Sequence, residues 1–405
     1  MAPALLSLTG IGVRRGMNHV HTDVDLVVNG GDMIVLSGAN GAGKSTLLEV
    51  AAGLLPIEQG TVKHADTVVL DAEGRRKRSP LTVGLTLQKN GVLGSETVEE
   101  HLQVAMSMSG FQTETAPFLK AFNLDHRAHD LVMHLSQGQV RKVAVLAGIL
   151  PAFVSPQPSL VLMDEPASGL DDASVEVLLG WLAALTQRGH GLVVCTHDER
   201  VRDQATRVVD LHGSATTEQT PARSASDVNF TTSTSRTVSA QRFGIRMHRR
   251  TMAWLNHNGM AALLTLGILL VLGDVMTQLD AFQQVGFILA PSLAAGLCGE
   301  AMVTMCREER VGAWWRGVAG STPHAGWLPL LIGGAITLLT EASLMATITP
   351  VHVVVGAVLC AVAWHGVGFA QRSTERLARP QAVFIGLLTP VLILPYALVL
   401  DWLTR

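Results

Sequence analysis

The sequence predicts an α/β P-loop domain followed by an all-α, multi-pass transmembrane domain. Three observations predict it. Residues 38–46, Gly-Ala-Asn-Gly-Ala-Gly-Lys-Ser-Thr, fit G-x-x-x-x-G-K-[ST], with an apolar strand pattern before them and a helical pattern after them. Residues 160–163, Leu-Val-Leu-Met, end in Asp164 and Glu165, as a buried parallel strand ends beside a ligand crevice. Apolar segments at 259–277, 282–305, 325–348, 351–370 and 381–402 approach or exceed the roughly 20 residues that cross a bilayer as a helix.

The loop is built to hold phosphate. Gly38, Gly41 and Gly43 let backbone N–H groups around Asn40 turn inward, and the helix that follows adds partial positive charge. Lys44 would reach the β- and γ-phosphates and Thr46 the α-phosphate. The Ser45 hydroxyl would ligate Mg²⁺ together with Asp164, and Glu165 would orient the attacking water. A nucleotide with Mg²⁺ is therefore expected.

Between these motifs stands Leu135-Ser136-Gln137-Gly138-Gln139. Here the chain resembles the ATP-binding-cassette (ABC) family, whose pattern is L-S-G-G-Q, with Gln137 replacing the third residue. The resemblance implies that Ser136, Gly138 and Gln139 bind the γ-phosphate across a dimer interface. It further implies that Gln88 senses Mg²⁺ and the membrane domain. Ser168-Gly169-Leu170-Asp171 becomes the D-loop, with Asp171 assigned to the ATP site. His197 becomes the switch histidine on the γ-phosphate. The motifs cover residues 1–212, the expected ABC ATP-binding domain.

The elements around the motifs follow from local pattern. Residues 5–13 and 24–28 alternate as edge strands. Family members often stack an aromatic ring on adenine from the loop between such strands. Here the loop offers Arg15, which either lays its guanidinium on the base or is a solvated loop residue. Residues 60–70 give two short strands. The basic run 75–78 reads as a solvated turn. Residues 91–130 are mostly helical in pattern. A helix runs from Ser136 to Leu150, and Pro151, Pro156 and Pro158 are expected to stop it. Residues 173–187 form an amphipathic helix and 207–211 a last strand.

Residues 213–240 are Ser/Thr-rich and lack an apolar period, so they read as a flexible linker. Residues 241–258 mix Arg242, Arg246, Arg249 and Arg250 with Phe243, Met247 and Trp254. This is the pattern of an amphipathic helix at a membrane face, or of a soluble helix packed on the ATPase.

Composition bounds the remaining choices. Hydrophobic residues make up 48% of the 405, and the excess lies after residue 258. The net charge of −3 and the apolar segments argue against a nucleic-acid role. Four cysteines show no paired spacing, so free thiols are expected. Residues 1–9 lack a basic region followed by a long apolar stretch, and no cleavable secretion signal is expected. Arginines 307, 310 and 316, then 372, 376 and 379, lie in alternate connectors. The positive-inside rule therefore places residues 1–258 and both arginine-rich loops in the cytosol, on a multi-pass protein of the cytoplasmic membrane whose transmembrane part is 259–405.

Residues 307–323 carry a second resemblance, to the cytosolic loop after the second span of ABC-2-type exporters. It implies that Glu309 and Gly312 couple the spans to the ATPase. The alternative is a plain loop whose two tryptophans anchor at the interface. That family has six spans, against five segments here. Glu300, Glu341 and His365 lie inside apolar segments, where ionisable groups suggest either function or helix–helix hydrogen bonding. With a single P-loop and a single signature, the chain is expected to pair with a second half-transporter, more readily itself than another chain. It would export a hydrophobic or amphiphilic substrate among membrane lipids. The competing expectation is an ATPase that relays mechanical or sensory signals without transport.

Overall fold

Apolar runs bounded by glycine and polar turns set the order of elements. They run β1 (Ala4–Arg15), β2 (Asn18–Asn29), β3 (Met33–Ser37), α1 (Lys44–Ala51), β4 (Gln59–His64), β5 (Thr67–Asp71) and β6 (Val83–Thr86). Next come α2 (Val98–Ser107), β7 (Phe111–Gln112), α3 (Ala116–Ala121), α4 (Gln137–Val154), β8 (Leu160–Asp164), α5 (Asp172–Gln187), β9 (Gly191–Cys195), α6 (Glu199–Arg202) and β10 (Arg207–Asp210). Two short strands follow, β11 (Thr216–Glu218) and β12 (Ser233–Thr234). The rest is helical: α7 (Ala240–Thr251), α8 (Met260–Val271), α9 (Ala281–Leu297), α10 (Ala301–Arg307), α11 (Val311–Ala319), α12 (Leu328–Leu344) and α13 (Pro350–Ser373). The computed structural model describes residues 4–211, 216–219, 225–226, 230–273, 280–345, 348–373 and 385–389. Two units divide the chain: Met1–Ser239 with Cys306–Thr322, and Ala240–Met305 with Pro323–Arg405.

In the first unit, β2-β1-β4-β5 form an antiparallel sheet and β11-β10-β3-β9-β8-β6 a second sheet. The second is parallel from β10 to β6. Its inner strands β8 and β9 are buried at every residue, as expected of strands covered on both faces. The C-terminal ends of β3, β8 and β9 lead into residues 38–46, 164–165 and 197, which gathers the motifs along one edge. β6 and α4 touch at their backbones. A Cβ on Gly84 would stand 1.9 Å from the Gly148 carbonyl oxygen, so both positions must stay glycine.

Two local expectations give way to packing. α4 does not stop at Leu150 but continues through Pro151 to Val154. Proline removes one hydrogen bond in the last turn, while Phe153 and Val154 are 3% and 2% exposed and gain burial by staying helical. The stretch expected as a flexible linker is tied down where it is described. β11 pairs with β10, and β12 with β7. Phe230 joins Phe118 and Phe153, with Arg188 over its ring at 5.4 Å. Val238 N–H donates to Ser107 Oγ.

His190 carries a pH dependence. It is 3% exposed, its Nδ1 accepts the Ser159 N–H at 3.0 Å, and burial followed by nearby Arg188 pushes its pKa down to about 4. Below about pH 6.5 the unfolded chain takes up a proton that the folded chain refuses until about pH 4. Folding stability therefore falls by about 3 kcal/mol across that window and no further beneath it. Urea unfolding of the full chain at pH 7.5, 5.5 and 4.5 should show the loss. His190→Asn, which keeps an acceptor and cannot titrate, should remove most of it.

In the second unit, small residues allow close helix approach. A Cβ on Gly333 would stand 2.4 Å from Cys360 Cβ on α13, and Ser292 Oγ bonds Gly333 O at 2.9 Å. Glu300 lies at the break between α9 and α10. Its carboxylate accepts the Ala325 N–H and pairs with Arg372. Asn258 Nδ2 donates to Ala295 O and Gly299 O, both at 2.8 Å, satisfying carbonyls that the break exposes. Glu341 closes the α12–α13 hairpin by accepting from Thr349 N–H at 3.1 Å and meeting His352 Nδ1 at 2.7 Å. His365 Nε2 contacts Gly326 O at 2.8 Å. These three groups therefore hold helices together. The four cysteines are free and buried.

Among the described residues, Gln283–Arg307 and Pro350–Arg372 are long and apolar enough to cross a membrane. Ala240–Thr251 and Leu255–Val271 reach that length only as a pair bent by 61°. α12 has 17 residues, roughly 25 Å of helix against a hydrocarbon core of about 30 Å. The expected fifth segment, 381–402, lies outside the described residues except for 385–389.

Candidate nucleotide-binding site

Residues 38–43 wrap around the N-terminus of α1. Gly38, Gly41 and Gly43 have φ of 145°, 85° and 88°, values that side chains resist. Gly43 has a second reason, since a Cβ there would stand 2.5 Å from His21 Nε2. Lys44 Nζ folds back onto Gly38 O and Ala39 O at 2.7 and 3.1 Å. Above the loop opens a cavity of about 890 Å³ lined by residues 40–46, Arg15, Glu49, Gln88, Glu165, His197 and Arg310, among others.

β8 delivers the two carboxylates. Asp164 is 3% exposed and hydrogen-bonded to Ser45, and burial raises its pKa against that bond. Glu165 follows in a left-handed turn, φ 49°, an uncommon conformation for a residue with a side chain. Its Oε2 accepts the His197 N–H at 3.3 Å, and Oε1 lies 3.7 Å from His197 Nε2. Ser45, Asp164 and Gln88 make an all-oxygen set suited to a hard divalent cation completed by water and phosphate. Among the described residues no three His, Cys, Asp or Glu cluster as a metal site.

The signature residues lie at the head of α4. Ser136 caps α4, its Oγ accepting the Gln139 N–H at 3.3 Å while Gln139 Oε1 accepts the Ser136 N–H at 2.9 Å. Gln137 opens the helix without disturbing this reciprocal cap. Gln137 and Gly138 line a second cavity of about 280 Å³, which shares Gln88, Glu165 and Ser168 with the first. Ser136, Gly138 and Gln139 do not line the P-loop cavity of their own chain.

Other expected residues find different surroundings. Asp171 caps α5 by accepting the Ser174 N–H at 2.9 Å and pairs with Lys142 at 2.5 Å. The Lys142 bond, then the cap, pushes its pKa down to about 2. It lines neither cavity. Arg15 reaches the cavity but is bonded to Glu49 Oε2 at 3.1 Å. Glu309 is exposed, and its carbonyl accepts the Gly91 N–H at 2.8 Å. Gly312 sits beside Cys306. Trp314 and Trp315 are each 1% exposed, and Trp314 Nε1 donates to Leu85 O at 3.0 Å. This pair is core, not an interfacial anchor.

Sequence reasoning missed two residues. Arg141 is 6% exposed and donates to Leu87 O, Asn90 Oδ1, Asp164 O and Glu165 O. It therefore ties α4 to the backbone on both sides of the site. Arg310 reaches Glu49. Neither has a local signal, because their partners are distant in sequence.

Several known proteins are similar to this chain in sequence. Residues 21–168 match the family described as "ABC transporter". The cytochrome c biogenesis ATP-binding export protein CcmA of Albidiferax ferrireducens is 32% identical over 199 residues, 48% of this chain and 90% of that protein. The macrolide export ATP-binding/permease protein MacB of Escherichia coli K12 is 29% identical over 269 residues, 63% of this chain. The matched part spans 40% of that relative's length. An ATP-binding subunit of an ABC transporter superposes with a TM-score of 0.43 at 26% identity, covering 53% of this chain and 90% of that one. Through its nucleotide domain, the chain belongs to the ATP-binding-cassette transporter family.

Proposed function

We propose that this chain is an ATP-driven half-transporter that works as a dimer, moving a hydrophobic or amphiphilic substrate outward across the cytoplasmic membrane. The observation that carries this reading is one of connectivity. A segment enclosed between apolar helices, 306–322, belongs to the same unit as the nucleotide cassette. The two relatives described above are both export proteins by name, which favours outward movement. Valines 351, 354, 355, 358 and 362 are exposed on α13, an apolar face suited to lipid or to a second copy.

In this reading the backbone of residues 40–46 and Lys44 hold the β- and γ-phosphates, and Thr46 the α-phosphate. Ser45, Asp164 and Gln88 hold Mg²⁺, which neutralises phosphate charge when bound. Glu165 accepts a hydrogen bond from the attacking water and aligns it. His197, already against Glu165, faces the γ-phosphate. Ser136, Gly138 and Gln139 cap the site of the other copy, since they line no part of the P-loop cavity of their own. Asp171 borders that composite site from α5. Glu309 and Gly312 pass the motion to the apolar helices.

A complementation experiment tests the composite site. Lys44→Ala and Gly138→Asp chains should each lack ATP turnover as purified full-length proteins. Co-expressed in equal amounts, half of the pairs are mixed, and each mixed pair keeps one intact site. Turnover should then recover to about a quarter of wild type. If wild type turns over and the mixture does not, the reciprocal composite site is wrong.

A further inference from the structure

Glu49 sits on α1, the helix that opens at the phosphate loop, and is 4% exposed. Four residues after Ser45 and three after Thr46, it shares their helix face. Two guanidinium groups meet its carboxylate. Arg15 Nη2 donates to Oε2 at 3.1 Å. Arg310 grips it with two prongs, Nη1 on Oε1 and Nη2 on Oε2, the second at 3.1 Å. All three residues line the 890 Å³ cavity. Glu49 also adds to the negative charge that Glu165 places on Asp164. Uncompensated, it would set a carboxylate facing a pocket shaped for an anion.

The backbone that brings Arg310 there is unusual. Glu309 and Arg310 both have positive φ, 49° and 59°, which residues with a Cβ resist. The pair is pinned at Glu309 O by the N–H of Gly91, three residues beyond Gln88. The strained turn is thus held from the Gln88 loop and from α1 together.

We propose that Arg310 is a positioning residue of the nucleotide site. By neutralising Glu49 it sets the charge that an arriving triphosphate meets, and so makes ATP affinity depend on the segment 306–322. Binding free energies are reciprocal, so nucleotide acts back on Arg310 and on the turn that carries it. This proposal rests on the nucleotide reading of the cavity.

The test is a binding cycle on the purified full-length chain carrying Glu165→Gln, so that nucleotide is not consumed. The probe is trinitrophenyl-ATP with Mg²⁺, and melting temperature is recorded in parallel. Arg310→Ala should weaken binding about tenfold by exposing the Glu49 charge. Glu49→Gln should tighten it about threefold, because two guanidinium groups are then released toward the phosphates. The double variant should return to within about twofold of the parent. If Arg310→Ala does not fold, Arg310→Lys takes its place, with about threefold weaker binding expected from its single-point contact. Shifts of opposite sign support the proposal. Lower melting temperatures with unchanged affinity in both single variants would reduce Arg310 to a structural clasp and overturn it. A parent chain that binds no trinitrophenyl-ATP would fail the nucleotide reading itself and remove this proposal with it.

Discussion

Replacing Glu165 with glutamine should lower ATP turnover by about a hundredfold or more while leaving ATP binding intact. The carboxylate ends β8 in a left-handed turn and is held by the His197 N–H, so its position is fixed before any nucleotide arrives. Glutamine is close to isosteric and should keep that hydrogen bond through its carbonyl oxygen. It lacks the negative charge that orients and polarises water. Losing a carboxylate beside the phosphates also removes repulsion, so nucleotide should stay bound and the full-length protein should accumulate an ATP-loaded state. Phosphate release and filter-retained ATP, measured on the same preparation, check both halves. Turnover within threefold of wild type would sink the assignment of Glu165.

Arg141→Ala should be the most destabilising single change in the nucleotide unit, at about 3–5 kcal/mol. The guanidinium donates to three backbone carbonyls and Asn90, and alanine would leave those acceptors buried without donors. Burial lowers the Arg141 pKa, and Asp164 and Glu165 oppose that shift. A guanidinium remains charged there, whereas a lysine has fewer donors and loses its charge more readily. Arg141→Lys should therefore recover less than half of the stability. Denaturant unfolding of the full-length protein at pH 7.5, followed by tryptophan fluorescence, measures both. A loss below about 1 kcal/mol for alanine would mean that water replaces the guanidinium.

The cassette was legible because phosphate imposes its pattern on neighbours in sequence. A loop that must turn N–H groups inward needs glycines at fixed spacing, and the strand before it must be apolar. Arg141 had no such signal. Its partners are carbonyls 54 and 23 residues away, and a carbonyl leaves no mark on residue type. The Arg310–Glu49 pair spans 261 residues, so both ends read as ordinary charges on helical or loop patterns. Arg15 lines the cavity, and its bond to Glu49 could not be seen from its own loop. Phe230 lies in a stretch dominated by Ser and Thr, and a single aromatic cannot establish a period. The apolar helices were harder still. An apolar run measures composition, whereas where a helix ends depends on breaks such as the one at Gly299, φ 67°, and on who satisfies the carbonyls there.

The four buried thiols have a practical consequence. A thiol reacts as thiolate and only where a reagent can reach it. Cys195 is 1% exposed, and burial holds its thiol well above the usual range. Cys298, Cys306 and Cys360 are buried as well. The native sequence is therefore already a silent background for maleimide chemistry. One cysteine placed at an exposed position, such as Gln137 at the head of α4, would be the reactive handle. In the proposed dimer, spin labels there would let the distance between two copies be followed through a turnover cycle, without first rebuilding the interior.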